Sequence, residues 1–195
     1  MVKVVLNPAI QVISGDVSGF VYRHQADGSI VLAKAGLRGE NQEPTPAQAA
    51  QLQKFKEASA RYTRLMQDAG IKAAYEQVLV TAGPTARLRA LVIGDILSAP
   101  KISALDLSGY QGRVGDPVRV LAEDNVGVAQ LELTLYDQTA TADLETARYD
   151  FAGKTPGAVE WVYRATQTVP AEHVIEVRVA AYDLAGNKVE QTGMQ

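Results

Sequence analysis

Cysteine is absent from the 195 residues. That excludes disulfides and thiolate metal sites, and leaves oxygen and nitrogen donors to hold any ion. Histidine occurs twice, as His24 and His173, and tryptophan once, as Trp161. A histidine base needs an activated hydroxyl within hydrogen-bond reach. His24 flanks a turn signal, His173 opens a strand pattern in the other half of the chain, and neither comes with a nucleophile elbow. No run approaches the roughly 20 apolar residues needed to cross a bilayer. The opening Val2-Lys3-Val4-Val5-Leu6 is too short an apolar run for a signal peptide and is followed by Pro8, so the sequence predicts cytoplasmic synthesis without a Sec-type leader. Residence in a virion or on a cell surface stays open.

What is present is ordinary for a globular protein with a sizeable core: 47% hydrophobic and 21% charged residues, with a formal net charge of −3. The charge is unevenly placed. Residues 1–99 carry 11 Lys and Arg against 8 Asp and Glu, and residues 101–195 carry 8 against 14. Opposite signs of this kind could favour head-to-tail contact between copies, but two solvated surfaces of accidental sign are the simpler account.

The patterning divides the chain. Gly19-Phe20-Val21-Tyr22-Arg23 and Ser29-Ile30-Val31-Leu32-Ala33 flank an Asp27-Gly28 turn signal and predict a hairpin, with residues 12–17 as a third strand. Residues 36–44 read as a polar loop. Thr45-Pro46 then predicts a helix start, with Thr45 as the cap and proline in the first turn. Leu52, Phe55, Tyr62, Leu65 and Met66 form one helical stripe. Ile71, Ala74, Tyr75, Val78 and Leu79 form a second before Gly83-Pro84, and Leu88, Leu91, Val92 and Leu97 a third before Ala99-Pro100.

Beyond Pro100, apolar and polar residues alternate, as in Leu131-Glu132-Leu133-Thr134-Leu135 and Val177-Arg178-Val179. A strand with one face in a core and one in water needs that pattern. Seven strands are predicted, near 102–107, 116–123, 128–137, 145–151, 159–166, 173–183 and 187–193. The expected architecture is an α+β domain over 1–99, a β-hairpin covered by three helices, followed by an all-β immunoglobulin-like sandwich over 100–195.

Two stretches carry a resemblance. Asp124-Asn125-Val126-Gly127-Val128 before Leu131, and Ala181-Tyr182-Asp183-Leu184-Ala185-Gly186-Asn187, resemble the strand start and final hairpin of bacterial Ig-like domains. The resemblance implies the sandwich fold and no particular function, since such modules occur in adhesins, glycan-binding appendages, enzymes and virion proteins. The front half is more loosely similar to uncharacterised bacterial and phage proteins. The shared patterns are a G-x-V-x-G-x-V-Y-R hairpin (Gly15, Val17, Gly19, Val21, Tyr22, Arg23) and a P-T-P-A-Q helix start (Pro44 to Gln48). That similarity implies no chemistry and hints at an assembled particle.

Candidate sites are sparse, and no catalytic, cofactor-binding or metal residue is assigned. Gly15 and Gly19 lack the lysine and strand-to-helix setting of a phosphate loop. Asp124, Asn125 and Asp183 stand at predicted sandwich ends, where turn hydrogen bonding is the simpler role and calcium the alternative. Lys54, Lys56, Arg61, Arg64, Arg87 and Arg89, diluted by Glu57, Asp68 and Glu76, read as solvated helix faces rather than a nucleic-acid surface. Trp161 and Tyr163 share one face of a strand, either as core or, if exposed, as a platform for sugar rings.

The sequence therefore predicts a non-catalytic structural protein, a homo-oligomeric subunit or decoration of a bacterial surface filament, sheath or phage particle. The alternative is an accessory module recognising a glycan or cell-surface polymer. Val2, Val4, Val5 and Leu6 are open to two uses: a strand in their own sheet, or one added to a neighbour's sheet edge.

Overall fold

A computed structural model describes residues 2–4, 15–17, 20–24, 29–34, 43–83, 85–151 and 157–195. The chain forms two compact units, Met1–Gln48 and Ala49–Gln195. It is a mixed α+β protein whose described residues form antiparallel sheets and three helices.

The first unit is a sheet of β1 (Val2–Val4), β2 (Gly15–Val17), β3 (Phe20–His24) and β4 (Ile30–Lys34), in the order β1-β4-β3-β2. The expected hairpin is β3–β4, with His24 opposite Ile30. Val2 and Val4 of the leading apolar segment pair within this sheet, opposite Leu32 and Ile30, and Val5 and Leu6 lie outside the described residues. The expected turn at Asp27-Gly28, together with residues 36–42 and 153–156, lies outside the described residues.

Helix α1 (Pro46–Leu65) starts where the proline and threonine put it. The Gln48 amide donates to Thr45 Oγ1 at 3.3 Å and the Thr45 amide donates to Gln48 Oε1 at 2.9 Å, a reciprocal cap. Helix α2 (Ala69–Ala82) is capped by Asp68, whose carboxylate accepts from the Gly70 and Ile71 amides. Helix α3 (Leu88–Leu97) ends at Ser98, before Pro100.

The predicted apolar stripes meet in part, around fully buried Tyr75, Val78 and Val92, with Tyr62, Leu65, Met66, Ile71, Leu88, Leu91 and Ile96 against them, whereas Leu52, Phe55 and Leu97 of those stripes are exposed. That cluster also contains Val126 and Leu184, which belong to turns of the β region. The division of the chain therefore differs from the expected 1–99 and 100–195. The helices share a core with the strands that follow them, and the boundary between compact units lies at Gln48/Ala49. The physical reason is that each stripe says only that a helix buries one face. The choice of partner depends on apolar turn residues far along the chain.

The seven predicted strands are present as β5 (Lys101–Asp106), β6 (Pro117–Asp124), β7 (Val128–Asp137), β8 (Ala142–Asp150), β9 (Gly157–Arg164), β10 (Ile175–Asp183) and β11 (Lys188–Met194). They form one sheet ordered β5-β6-β9 and a second ordered β11-β10-β7-β8. Val118, Val120 and Ala122 of the first sheet share a buried core with Leu131, Leu133, Leu135, Val177, Val179 and Ala181 of the second. Every one of these is an inward position of an alternating strand, and Leu133 lies opposite Val179.

Two measurements check this packing. Leu133→Ala is expected to lower the unfolding free energy by about 3 kcal/mol, read from the urea midpoint, because a fully buried leucine leaves a cavity. A fragment of residues 49–195 is expected to unfold at a clearly higher denaturant concentration than one of residues 100–195, in which Val126 and Leu184 lose their helical cover.

Candidate functional site

The most unusual chemistry lies where the helices meet the strand ends. Asp95 sits in α3 within Leu91-Val92-Ile93-Gly94-Asp95-Ile96-Leu97 and is fully buried. Its backbone position, three residues after buried Val92, puts the carboxylate on the helix face turned to the core. Asp124 ends β6 and Asp183 ends β10, and both are buried. One oxygen from each of the three carboxylates lies within 4.8 Å of the others.

The two strand-end aspartates are held by the turns they make. Asp124 Oδ2 accepts from the amides of Val126 at 2.7 Å and Gly127 at 2.8 Å. Gly127 has φ 146°, in a region that side chains disfavour, and this lets the chain turn directly into β7. Asp183 Oδ1 accepts from the Asn187 amide at 2.7 Å and Oδ2 from Asn187 Nδ2 at 2.7 Å. The turn role anticipated for Asp124 and Asp183 is thus visible in their hydrogen bonds. Asn125 is exposed.

Asp95 is bound by both sides of the junction. Its Oδ2 accepts a hydrogen bond from the hydroxyl of buried Tyr75 in α2 and another, at 3.1 Å, from the Ala185 amide in the β10–β11 turn. Asn187 Nδ2 also donates to the Asp95 carbonyl at 2.8 Å. From α1, Arg61 donates to the Ala185 carbonyl at 2.5 Å and to Asn187 Oδ1 at 2.9 Å. Helices α1 and α3 are therefore hydrogen-bonded directly to one five-residue turn, residues 183–187, and α2 is tied to it through the Tyr75–Asp95 bond. Two buried oxygens in the cluster, Asp95 Oδ1 and Asp124 Oδ1, accept no hydrogen bond.

Burial dominates the electrostatics. It raises the Asp95 carboxyl to about 7, with further upward pressure from Asp183 and Asp124 and only partial relief from the Tyr75 and Ala185 hydrogen bonds. Burial likewise raises Asp183 to about 6, against the hydrogen bonds from Asn187. The Tyr75 hydroxyl is pushed up by burial and by its bond to Asp95.

Asp95 and Tyr75 were not singled out by the sequence as site residues. Tyr75 reads as one member of an apolar stripe. The signal for Asp95 was a lone carboxylate inside an otherwise apolar helix, a position that charged side chains occupy only with partners.

The other sequence candidates are scattered. His173 Nδ1 lies 2.5 Å from Asp137 Oδ2, at the end of β7 remote from Val128. Asp137 also accepts from the Thr139 and Ala140 amides, and the histidine contact and these bonds hold its carboxyl below the usual range despite its burial. The His24 side chain lies outside the described part of the structure.

Arg61 is committed to the turn, whereas Arg89 lies over the Tyr62 ring, 5.4 Å from its centre. Lys54 and Arg64 border a shallow basin with Ile96 and Leu97. Trp161 and Tyr163 are half-buried and pack against the core between the sheets. Trp161 stacks on Tyr149 with ring centres 6.0 Å apart, and Tyr149 is the more exposed ring.

No family model matches the chain, and no curated protein matches it. Among solved structures it is similar to a hypothetical protein, PH1083, from Pyrococcus horikoshii OT3, at 14% identity. That likeness covers 50% of this chain and 87% of the other, with a TM-score of 0.32.

The buried carboxyls give a pH signature. Asp95 and Asp183 bind a proton more tightly folded than unfolded, so their contribution favours the folded state when protonated. It is lost as pH rises from about 4 through about 7. Asp137, Asp116 and Glu176 are lowered in the fold and act oppositely, losing their contribution as pH falls through the acid range. In chelator-treated buffer the denaturation midpoint is therefore expected to fall between pH 5 and 7.5. Asp95→Asn, which keeps an acceptor for Tyr75, is expected to flatten most of that slope.

Proposed function

We propose that this protein is a non-catalytic structural subunit, built on an immunoglobulin-like sandwich, that assembles with copies of itself. The strand order supports the sandwich reading. Seven antiparallel strands divide three and four between facing sheets, and β7, β10 and β11 lie together as strands C, F and G do in that fold.

One observation carries the assembly reading: an apolar groove of about 570 Å³ on the outer side of the helices, lined by Phe55, Ala90, Ile93, Gly94 and Leu97. Phe55 and Leu97 are exposed there, and Leu52 is exposed on the same helix as Phe55. Arg87 and Arg89 also line the groove. Contiguous exposed apolar surface with a polar border is characteristic of protein–protein contact.

The occupant that best fits is the strand region of a second copy. Residues 49–99 hold seven Lys and Arg against four Asp and Glu, whereas residues 101–195 hold 8 against 14. The strand region also exposes Leu121 and Val162 on neighbouring strands. Contact between a basic, apolar groove and a different, acidic surface is head-to-tail, the kind of interface that extends into a ring or a filament. A filament, sheath or phage particle is the setting in which we read it. A glycan-binding role would rest on exposed Tyr149 rather than on half-buried Trp161.

Light scattering coupled to size-exclusion chromatography tests this. The expected result is a mass that rises with concentration, falls in high salt, and drops to that of the monomer in Phe55→Glu. A strictly monomeric wild type across concentration and salt would overturn the proposal.

A further inference from the structure

We propose that Asp95, Asp124 and Asp183 form a binding site for a divalent cation of the calcium class, one that fastens the helices to the strand ends. The site is independent of the assembly groove.

The geometry argues for it in three ways. First, the three carboxylates come from α3, β6 and β10 and offer oxygens within 4.8 Å of one another. That span is what one ion can bridge at roughly 2.4 Å from each oxygen.

Second, hydrogen bonds orient the carboxylates but leave ligand atoms unused. The Oδ2 of Asp95 is held by Tyr75 and Ala185, and the Oδ2 of Asp124 by Val126 and Gly127. In both residues Oδ1 is buried and accepts nothing. Asp95 is 0% exposed and Asp124 8%. Each Asp183 oxygen accepts one bond from Asn187, which leaves a lone pair on each. One oxygen pinned and the other free is how surrounding hydrogen bonds prepare a carboxylate for a metal.

Third, the cluster is unbalanced. Among the described residues, the ion pairs do not include Asp95, Asp124 or Asp183. The guanidinium reaching this junction, that of Arg61, donates to the Ala185 carbonyl and to Asn187 rather than to a carboxylate. The contacts of Asp95 and Asp124 are each made through one oxygen and would be met equally well by asparagine, so those hydrogen bonds do not explain why these two positions are acids. Buried carboxylates without a cation are costly, and a divalent ion removes that cost. An all-oxygen set with no thiolate or imidazole selects a hard cation. Ligands fixed by three separate elements suit calcium, which accepts irregular coordination, better than magnesium, which demands near-octahedral geometry.

The test uses the full chain after chelator treatment. Calcium titration is expected to raise the melting temperature by roughly 5 °C and to give a one-to-one calorimetric isotherm. Magnesium at the same concentration is expected to be at least 10-fold weaker. Terbium, which can take calcium's place, is expected to luminesce through nearby Tyr75 and to be displaced by calcium. Asp124→Asn keeps the turn acceptor and is expected to weaken calcium binding at least 10-fold, whereas the exposed Asp150→Asn leaves it unchanged. Two results would each overturn the site. One is a wild type whose melting temperature and terbium signal do not respond to millimolar calcium. The other is a folded Asp124→Asn that binds calcium as the wild type does. The terbium measurement needs only wild-type protein, so the test stands even if a variant fails to fold.

Discussion

The structure depends on a single register. Between β7 and β10, Leu131 faces Ala181, Leu133 faces Val179 and Leu135 faces Val177, all buried. A slip of one residue in either strand would turn those side chains to solvent and bring Glu132, Thr134 and Arg178 inward. The penalty for such a slip fixes the pairing. The pairing in turn fixes where both strands begin and end, so that Asp183 lies opposite Val128, close to the Asp124 turn.

From that end of the sheets the helices take their position. Val126 and Leu184 project from the two turns into the helical cluster, so an apolar core continues out of the strand region. Polar contacts then restrict how the helices sit on it. Asp95, Tyr75, Arg61 and Asn187 bond within a buried setting where a misplaced partner leaves a charge or an amide unsatisfied. Apolar packing supplies most of the attraction, and the polar group supplies the orientation. The same burial that makes the group selective leaves three acids close together, and that convergence is what the proposed cation site rests on.

Much of the fold was legible residue by residue. The strand alternation located all seven strands of the second unit to within a few residues, and the Thr45-Pro46 start and the Pro100 stop bracketed the helices. The site was legible only in part. Asp124 and Asp183 stood out because Asp-Asn-Val-Gly and Asp-Leu-Ala-Gly-Asn are turn chemistry, and turn chemistry is local. Asp95 did not, because one carboxylate on an apolar helix has no meaning until its surroundings are known. Trp161 shows the same limit. The pattern placed it with Tyr163 on one strand face, but only the facing sheet determined that this face is half-buried.

By itself the sequence determined the elements: which segments are strands and helices, which faces are apolar, where the caps and turns fall. These follow from backbone periodicity and from side chains bonding to their own neighbours, interactions that span a few residues. The tertiary structure alone decided that the helices share a core with the strands after them, and that acids from α3, β6 and β10 converge. Such choices depend on contacts between residues 90 to 126 positions apart, such as Asp95 with Ala185 and Arg61 with Asn187. No local pattern encodes those contacts, because they exist only once the apolar surfaces have found each other.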